Sequence, residues 1–269
     1  MKKTMTLKQA IDLLRESGID SPLYDARELF SLYLGRGVMM NDSCDDERLI
    51  DMIERRRMRE PLQYIIGSVG FYREEYYVSP DCLIPRADTE TLVDYAVKNI
   101  PEGESFIDLC TGSGCVAIST LKNTKSTTAY AVDISKGALD LASKNAERNG
   151  VADRISLVNA DVMKDALCDR VYAVLSNPPY IREDVYPELE KEIFHEPKIA
   201  FVGGADGLDF YRRLTPIYCD RIKDGGFIAY EIGYDQGEDL KKIAEENQMT
   251  VEILKDLSGQ DRVAVLRRK

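Results

Sequence analysis

The densest chemistry in the chain lies in Asn177-Pro178-Pro179-Tyr180, directly after the run Val171–Ser176. That run is apolar and reads as a buried strand. Neither proline can donate a backbone N–H, and each pushes the residue before it toward an extended conformation. The tetrapeptide is therefore a stiff corner at a strand's carboxyl end, with free carbonyls beside a primary amide and an aromatic ring. It can receive a ligand there, or serve only as a rigid turn with a packed tyrosine. A second candidate lies upstream. Cys110-Thr111-Gly112-Ser113-Gly114 follows the strand Ser105–Leu109, and a helix is expected from about Cys115. Its glycines allow a tight turn and close backbone approach, and N–H groups at a helix start can hold a carboxylate or phosphate. Ala117 completes the dinucleotide fingerprint in its Gly-x-Gly-x-x-Ala form. Asp133 ends the next strand, Thr128–Val132, where an acid can accept the two hydroxyls of a ribose; capping the following turn is its other reading. Asp161, after Ile155–Val158, is placed to bond an adenine amino group, and Val162 to flank the ring.

These residues need a scaffold, and the pattern supplies one. Strand, glycine loop, helix, strand, acid, helix, strand, acid, strand is a βαβ series that predicts a parallel sheet. Every special residue then follows a strand's carboxyl end, where open α/β sheets bind ligands. Ser135 is expected to cap a helix bearing Ala138, Leu139, Ala142 and Ala146 that stops at Asn149-Gly150. Further on, the spacing predicts a helix over Asp209–Ile222, a turn at Gly225-Gly226, a strand over Phe227–Glu231 and a helix over Gly237–Asn247. The last strands, Thr250–Leu254 and Val263–Leu266, are expected to be antiparallel, because their connection has no room for a crossover helix. Ile181–Lys191 is expected to pass over the site. The glycine-rich stretch Phe201–Leu208 either closes over substrate or is plain surface.

Before the sheet, the sequence reads as short helices. Thr6 and Gln9 have capping-box spacing, with Leu7, Ala10, Ile11 and Leu14 on one face. Ser21-Pro22 begins a second helix, with Leu23, Ala26, Phe30 and Tyr33 on its apolar side; a third is expected over Glu47–Arg57. Strands Val69–Tyr72 and Tyr76–Val78 predict a hairpin closed by Arg73-Glu74-Glu75. The expected organisation is a helical domain over residues 1–67, serving either as a recognition module or as a structural cap on the larger domain, a β-hairpin linker over 68–84 and an α/β domain over 85–269. Arg86 and Glu90 are placed either to touch a ligand or to form a local ion pair and serve the start of the following helix.

Composition narrows the classes. The chain has 269 residues and a formal net charge of -11, which argues against a long nucleic-acid groove. Cys44, Cys82, Cys110, Cys115, Cys168 and Cys219 show no metal-like pairing, the pattern of reduced thiols in a cytosol. The single histidine, His195, disfavours a histidine-based zinc site. No signal peptide and no membrane-spanning apolar run is evident.

Taken together, residues Cys110–Tyr180 resemble a Rossmann-like S-adenosylmethionine-dependent methyltransferase. Asn177-Pro178-Pro179-Tyr180 is similar to the signature of enzymes that methylate amino nitrogens on planar amides or bases. The whole chain resembles the bacterial release factor glutamine methyltransferases, the PrmC or HemK family. Arg59–Gly67, Pro85-Arg86 through Thr89-Glu90, Asp108–Gly114, Glu196-Pro197, Gly203–Leu208, Glu231-x-Gly233-x-x-Gln236 and Asp256-x-x-Gly259-x-x-Arg262 carry the resemblance. It implies a mostly parallel sheet with an antiparallel C-terminal strand, preceded by a helical domain that helps recognise release factors. It also implies methyl transfer from S-adenosyl-L-methionine to the side-chain nitrogen of the glutamine in the Gly-Gly-Gln loop of class 1 peptide chain release factors. By the match, Cys110, Thr111, Gly112, Ser113 and Gly114 hold the methionine part of the cofactor, Asp133 its ribose, and Asp161 with Val162 its adenine region. Family members often carry Gly in place of Cys110 and an aromatic residue in place of Val162. Asn177 lies at both cofactor and substrate. Asn177 and Pro178 accept the amide N–H groups, Tyr180 packs on the amide plane, and Pro179 completes the substrate site. A cytoplasmic monomer with no metal is expected. The same hydrogen-bonding logic on a flipped base would make an adenine N6 methyltransferase of DNA or RNA, which is the alternative. A nicotinamide-dependent oxidoreductase fits the glycine loop but leaves the tetrapeptide unexplained.

Overall fold

The computed structural model of the chain describes residues 4–165, 167 and 170–269. Cys168 and residues 1–3 of the expected helical domain lie outside them. The chain divides into two compact units, Met1–Ser68 with Glu190–His195, and Val69–Leu189 with Glu196–Lys269.

The first unit holds β1 (Met5–Thr6), α1 (Leu7–Glu16), α2 (Pro22–Leu34), β2 (Ser43–Cys44), α3 (Glu47–Arg57) and α4 (Leu62–Ile66). The capping box forms: Gln9 N donates to Thr6 Oγ1 at 3.2 Å, and Thr6 N donates to Gln9 Oε1 at 2.9 Å. Leu7, Leu14, Leu29, Phe30, Leu49 and Ile53 bury their side chains in one core. That core covers α2 only from Asp25 onward, so Leu23, expected on the apolar side, is half-exposed. Asp25 instead pairs inside with Arg56 at 2.7 Å. Arg56 and Arg59 also reach Glu192, at 3.1 and 3.3 Å, which ties the Glu190–His195 segment to the helices.

The second unit begins at Val69, within the hairpin β3 (Ser68–Phe71) and β4 (Glu74–Tyr77). Its turn is Tyr72-Arg73 rather than Arg73–Glu75, with Tyr72 in a left-handed conformation at φ 58°. Phe71 and Tyr76 meet edge-on, and both enter the core on one face of the main sheet. There follow α5 (Glu90–Asn99), β5 (Ser105–Leu109), α6 (Cys115–Lys122), β6 (Thr128–Asp133), α7 (Lys136–Arg148), β7 (Ile155–Asn159) and β8 (Val171–Ser176). The unit closes with α8 (Asp209–Tyr218), β9 (Ile222–Glu231), α9 (Gly237–Glu246), β10 (Met249–Lys255) and β11 (Asp261–Arg268).

The main sheet has the order β10-β11-β9-β8-β5-β6-β7. Strands β5 to β9 are parallel, and β11 is antiparallel to both of its neighbours. Alternation along each strand feeds two cores: Phe106 and Ala131 face one, Ile107 and Val132 the other. From β5 the chain builds outward to β7, then returns to the other side of β5 as β8. The switch point of the topology therefore lies between β5 and β8, the place where such sheets bind ligands. One expected boundary shifts. Helix α8 ends at Tyr218, and Gly225-Gly226 lies inside β9 instead of turning into it. A Cβ on Gly226 would overlap the Tyr172 carbonyl, and the β8–β9 register slips between Val171 and Ala173. Glycine is what such a close backbone approach requires. Among the described residues, no helix is long and apolar enough to cross a membrane.

Candidate active site

The loop after β5 is held from behind by Asp108. Its Oδ2 accepts from Thr111 Oγ1 at 2.6 Å and from Ala117 N at 3.2 Å, which fastens the loop to the first turn of α6. Burial pushes the Asp108 carboxyl up to about 7. Cys110 takes a left-handed conformation, φ 60°, which only glycine adopts without steric cost.

Asp133 closes the loop from the other side. Gly112 N donates to its Oδ2 and Ser135 N to its Oδ1, each at 2.8 Å. Each carboxylate oxygen keeps a further lone pair for an incoming hydroxyl. Burial raises the Asp133 pKa, and the backbone donors at Ser135 and Gly112 oppose that rise. Asp161 is engaged locally: Lys164 Nζ lies 2.8 Å from Oδ2, and Met163 N donates to Oδ1 at 3.0 Å. Both hold its carboxyl below the usual range, Lys164 foremost. Val162 is buried beside Leu109 and Val132.

Around these groups is a cavity of about 290 Å³, near the lower end of the range for small-molecule sites. It is lined by Cys110, Thr111, Gly112 and Ser113, by Asp133, by Asp161 and Val162, and by Asn177 and Pro179. Gly114, Pro178 and Tyr180 are not among its lining, and neither is any residue of Ile181–Lys191. Ile181 instead forms a parallel bridge with Val202. The wall also includes residues that sequence reasoning missed, among them Cys82, Leu83, Ile199 and Phe210, apolar side chains without a motif of their own.

The tetrapeptide is fixed by partners distant in sequence. Asn177 Nδ2 donates to Thr89 Oγ1 at 3.1 Å. Among the described residues, no donor bonds Asn177 Oδ1 or the Pro178 carbonyl. The Tyr180 hydroxyl donates to Glu231 Oε1 at 3.2 Å, and burial pushes its pKa above the ordinary range. Gln236 Nε2 donates to the Tyr180 carbonyl at 3.1 Å and to the Gly207 carbonyl at 3.3 Å. The glycine-rich stretch is thus packed against the tetrapeptide backbone, not laid on the surface: Gly203 meets Pro179 and Tyr180, and Gly207 meets Tyr180. Arg86 and Glu90 do not pair. Arg86 pairs with Glu196, whose Oε2 also accepts from Ile84 N at 2.8 Å, while Glu90 Oε1 accepts from Tyr72 N at 2.8 Å.

This arrangement can be set against known proteins. The Methyltransferase small domain family matches residues 87–203, and the PrmC N-terminal domain family matches residues 6–67. The release factor glutamine methyltransferase of Caulobacter vibrioides is 36% identical over 280 residues, covering 97% of this chain and 96% of that protein. The enzyme of the same description from Clostridium acetobutylicum is 34% identical, covering 98% of each. The chain belongs to the release factor glutamine methyltransferases. Over part of its length the chain also shares the fold of a solved ribosomal protein L11 methylase from Lactobacillus delbrueckii subsp. bulgaricus. That match is 19% identical with a TM-score of 0.51, covering 68% of this chain and 80% of the other. The methyltransferase therefore takes S-adenosylmethionine as its methyl donor. Its cavity fits that group: Asp133 offers spare acceptors to hydroxyl donors, and the loop beside it presents backbone and small side chains.

Proposed function

We propose that this methyltransferase transfers a methyl group from S-adenosylmethionine to the side-chain amide nitrogen of the glutamine in the Gly-Gly-Gln motif of class 1 peptide chain release factors. The observation that carries this reading is a pair of acceptors without a donor among the described residues, Asn177 Oδ1, on a residue that lines the cavity, and the carbonyl of Pro178 next to it in the chain. An amide nitrogen is a poor nucleophile because its lone pair is delocalised. Two fixed acceptors match the two N–H bonds of a primary amide and hold its nitrogen in one orientation. They also stabilise the positive charge that develops on that nitrogen during transfer. S-adenosylmethionine, when bound, supplies the electrophilic methyl group. The proton passes from the strongly acidic methylated nitrogen to solvent water after transfer, so no strong general base is needed. Tyr180, with its hydroxyl turned to Glu231, serves this reading by fixing the corner.

In the same reading, the helical unit over residues 1–67 contributes to release-factor recognition. The enzyme acts as a cytoplasmic monomer, with the charge of -11 disfavouring a nucleic-acid substrate. The substrate assignment is tested by giving the enzyme intact release factor, a release factor with its Gly-Gly-Gln glutamine replaced, DNA and RNA under identical conditions. Mass spectrometry is expected to place one methyl on that glutamine, in the intact factor only. N6-methyladenine without methylglutamine would overturn the assignment in favour of the base-methylating alternative.

Cofactor binding has its own expected result. Asp133→Ala removes the acceptor for ribose hydroxyls and releases the N–H groups of Gly112 and Ser135. Binding of S-adenosylmethionine should weaken by about 1–3 kcal/mol. Calorimetry checks this, with NAD as the comparison ligand; unchanged affinity in the variant removes Asp133 from the role.

A further inference from the structure

The adenosine half of the cofactor brings a flat base, and the residues expected to hold that base give it little to lie against. Asp161 can bond the edge of such a ring but offers nothing to its face. Val162 is buried beside Leu109 and Val132, and a branched aliphatic side chain presents no plane. Among the described residues that line the cavity, one carries an aromatic ring: Phe210.

Phe210 lies in the first turn of α8. It is half-buried and packs against the core cluster that holds Val162. The next residue, Tyr211, is turned into the core instead. Its ring centroid lies 5.4 Å from that of Tyr230, and its hydroxyl donates to the Glu231 backbone carbonyl at 2.9 Å. Helix α8 is also tied to the turn that carries Asp161 and Val162. Arg213 Nε donates to the Met163 carbonyl at 2.7 Å, and Arg213 Nη2 donates to the Lys164 carbonyl at 3.3 Å. Residues three apart share a helix face, so the tie at Arg213 brings Phe210, one turn earlier, toward that same turn of chain. Val162, Met163 and Phe210 accordingly line one cavity.

We propose that Phe210 supplies the aromatic surface for the adenine ring of S-adenosylmethionine, the part of the site that Asp161 and Val162 leave unfilled. This rests on the identity of the methyl donor and is independent of which nitrogen receives the methyl group. An aromatic side chain under a base strengthens binding by about 5- to 150-fold. The base is remote from the reacting methyl, so the contact is the same in the ground state and the transition state. It therefore acts on affinity for the cofactor and not on the chemical step.

The chain contains no tryptophan, so Phe210→Trp places a single indole at the proposed contact. Saturating S-adenosylhomocysteine should quench its fluorescence through the stacked adenine, and L-methionine should not. Leu257→Trp, at a fully exposed position that does not line the cavity, should respond to neither. By calorimetry, Phe210→Ala should bind S-adenosylhomocysteine about tenfold or more weakly. Phe210→Leu should recover only part of that loss, and Phe210→Tyr should bind as wild type. In turnover, KM for S-adenosylmethionine should rise in Phe210→Ala with kcat at saturation little changed. Fluorescence at position 210 that S-adenosylhomocysteine leaves unchanged, or that L-methionine quenches equally, overturns the proposal. So does a Phe210→Leu protein with wild-type affinity, which is the result for a ring that only fills the core. None of these results bears on the glutamine assignment. If Phe210→Ala does not fold, the Trp, Leu and Tyr variants still decide.

Discussion

Asn177→Ala should remove nearly all methylation while the fold and much of the cofactor affinity survive. Deleting Oδ1 takes away one of two acceptors that hold an unactivated nitrogen and stabilise its developing charge. By analogy with removing one donor from an oxyanion hole, the loss is about 10²- to 10³-fold in kcat, or about 3 kcal/mol. The variant also frees Thr89 Oγ1, which it bonds at 3.1 Å, without breaking the backbone of the corner. Asn177→Asp is expected to be impaired less than Ala but clearly below wild type. It keeps an acceptor of similar size, yet it cannot donate to Thr89. Its charge can tighten binding of a cationic cofactor in the ground state without helping the step that disperses that charge. Single-turnover methylation of release factor separates these outcomes, with calorimetry on S-adenosylhomocysteine reporting cofactor contact. Near-wild-type turnover in Asn177→Ala would sink the mechanism.

The sequence was most legible where local chemistry and tertiary need agree. The Thr6–Gln9 box, the Ser135 cap and the strand–loop–helix at Cys110–Gly114 declare themselves within a few residues, and the structure builds them as read. The antiparallel β11 followed from a connection too short for a helix. Legibility failed where a residue's partner is remote. Glu90 and Arg86 share a turn of sequence, yet each pairs across the unit, with Tyr72 and Glu196. Gly225-Gly226 looked like a turn because glycine marks turns. In the fold it marks a close approach to Tyr172, which no periodicity reveals. The same holds within the site. The tetrapeptide was visible as a motif, but the groups that bond it, Thr89, Glu231 and Gln236, are 88, 51 or 56 residues away from their bonding partners in it. Leu83, Ile199 and Phe210 line the cavity through shape alone and carry no sequence signal.

Gly207→Ala tests whether that remote support matters as much as the motif. Gly207 has φ +77°, and a Cβ there would overlap the Tyr180 carbonyl and come within 2.9 Å of Gln236 Nε2. Two costs follow. The left-handed conformation costs an alanine about 1 kcal/mol. The overlap must in addition be relieved by moving backbone, because Tyr180 O is itself held by Gln236. The Gln236 amide has little freedom to yield, since its Oε1 accepts from Gly233 N at 2.9 Å. Tyr180 therefore shifts, and Pro178 and Asn177 shift with it along a stiff two-proline chain. A displacement of about 1 Å at the acceptors is enough to cost about 10²-fold in rate. The comparison variant is Gly150→Ala. Gly150 is also left-handed, at φ +68°, but a Cβ there meets nothing within 4 Å. Both variants should lose the same conformational increment, a few degrees in Tm for a chain of this size. Only Gly207→Ala should lose kcat, and it should do so with S-adenosylhomocysteine affinity largely kept, because Asp133 and the Cys110–Gly114 loop are untouched. Equal kcat in the two variants would show that the corner holds its geometry without the glycine-rich stretch beneath it.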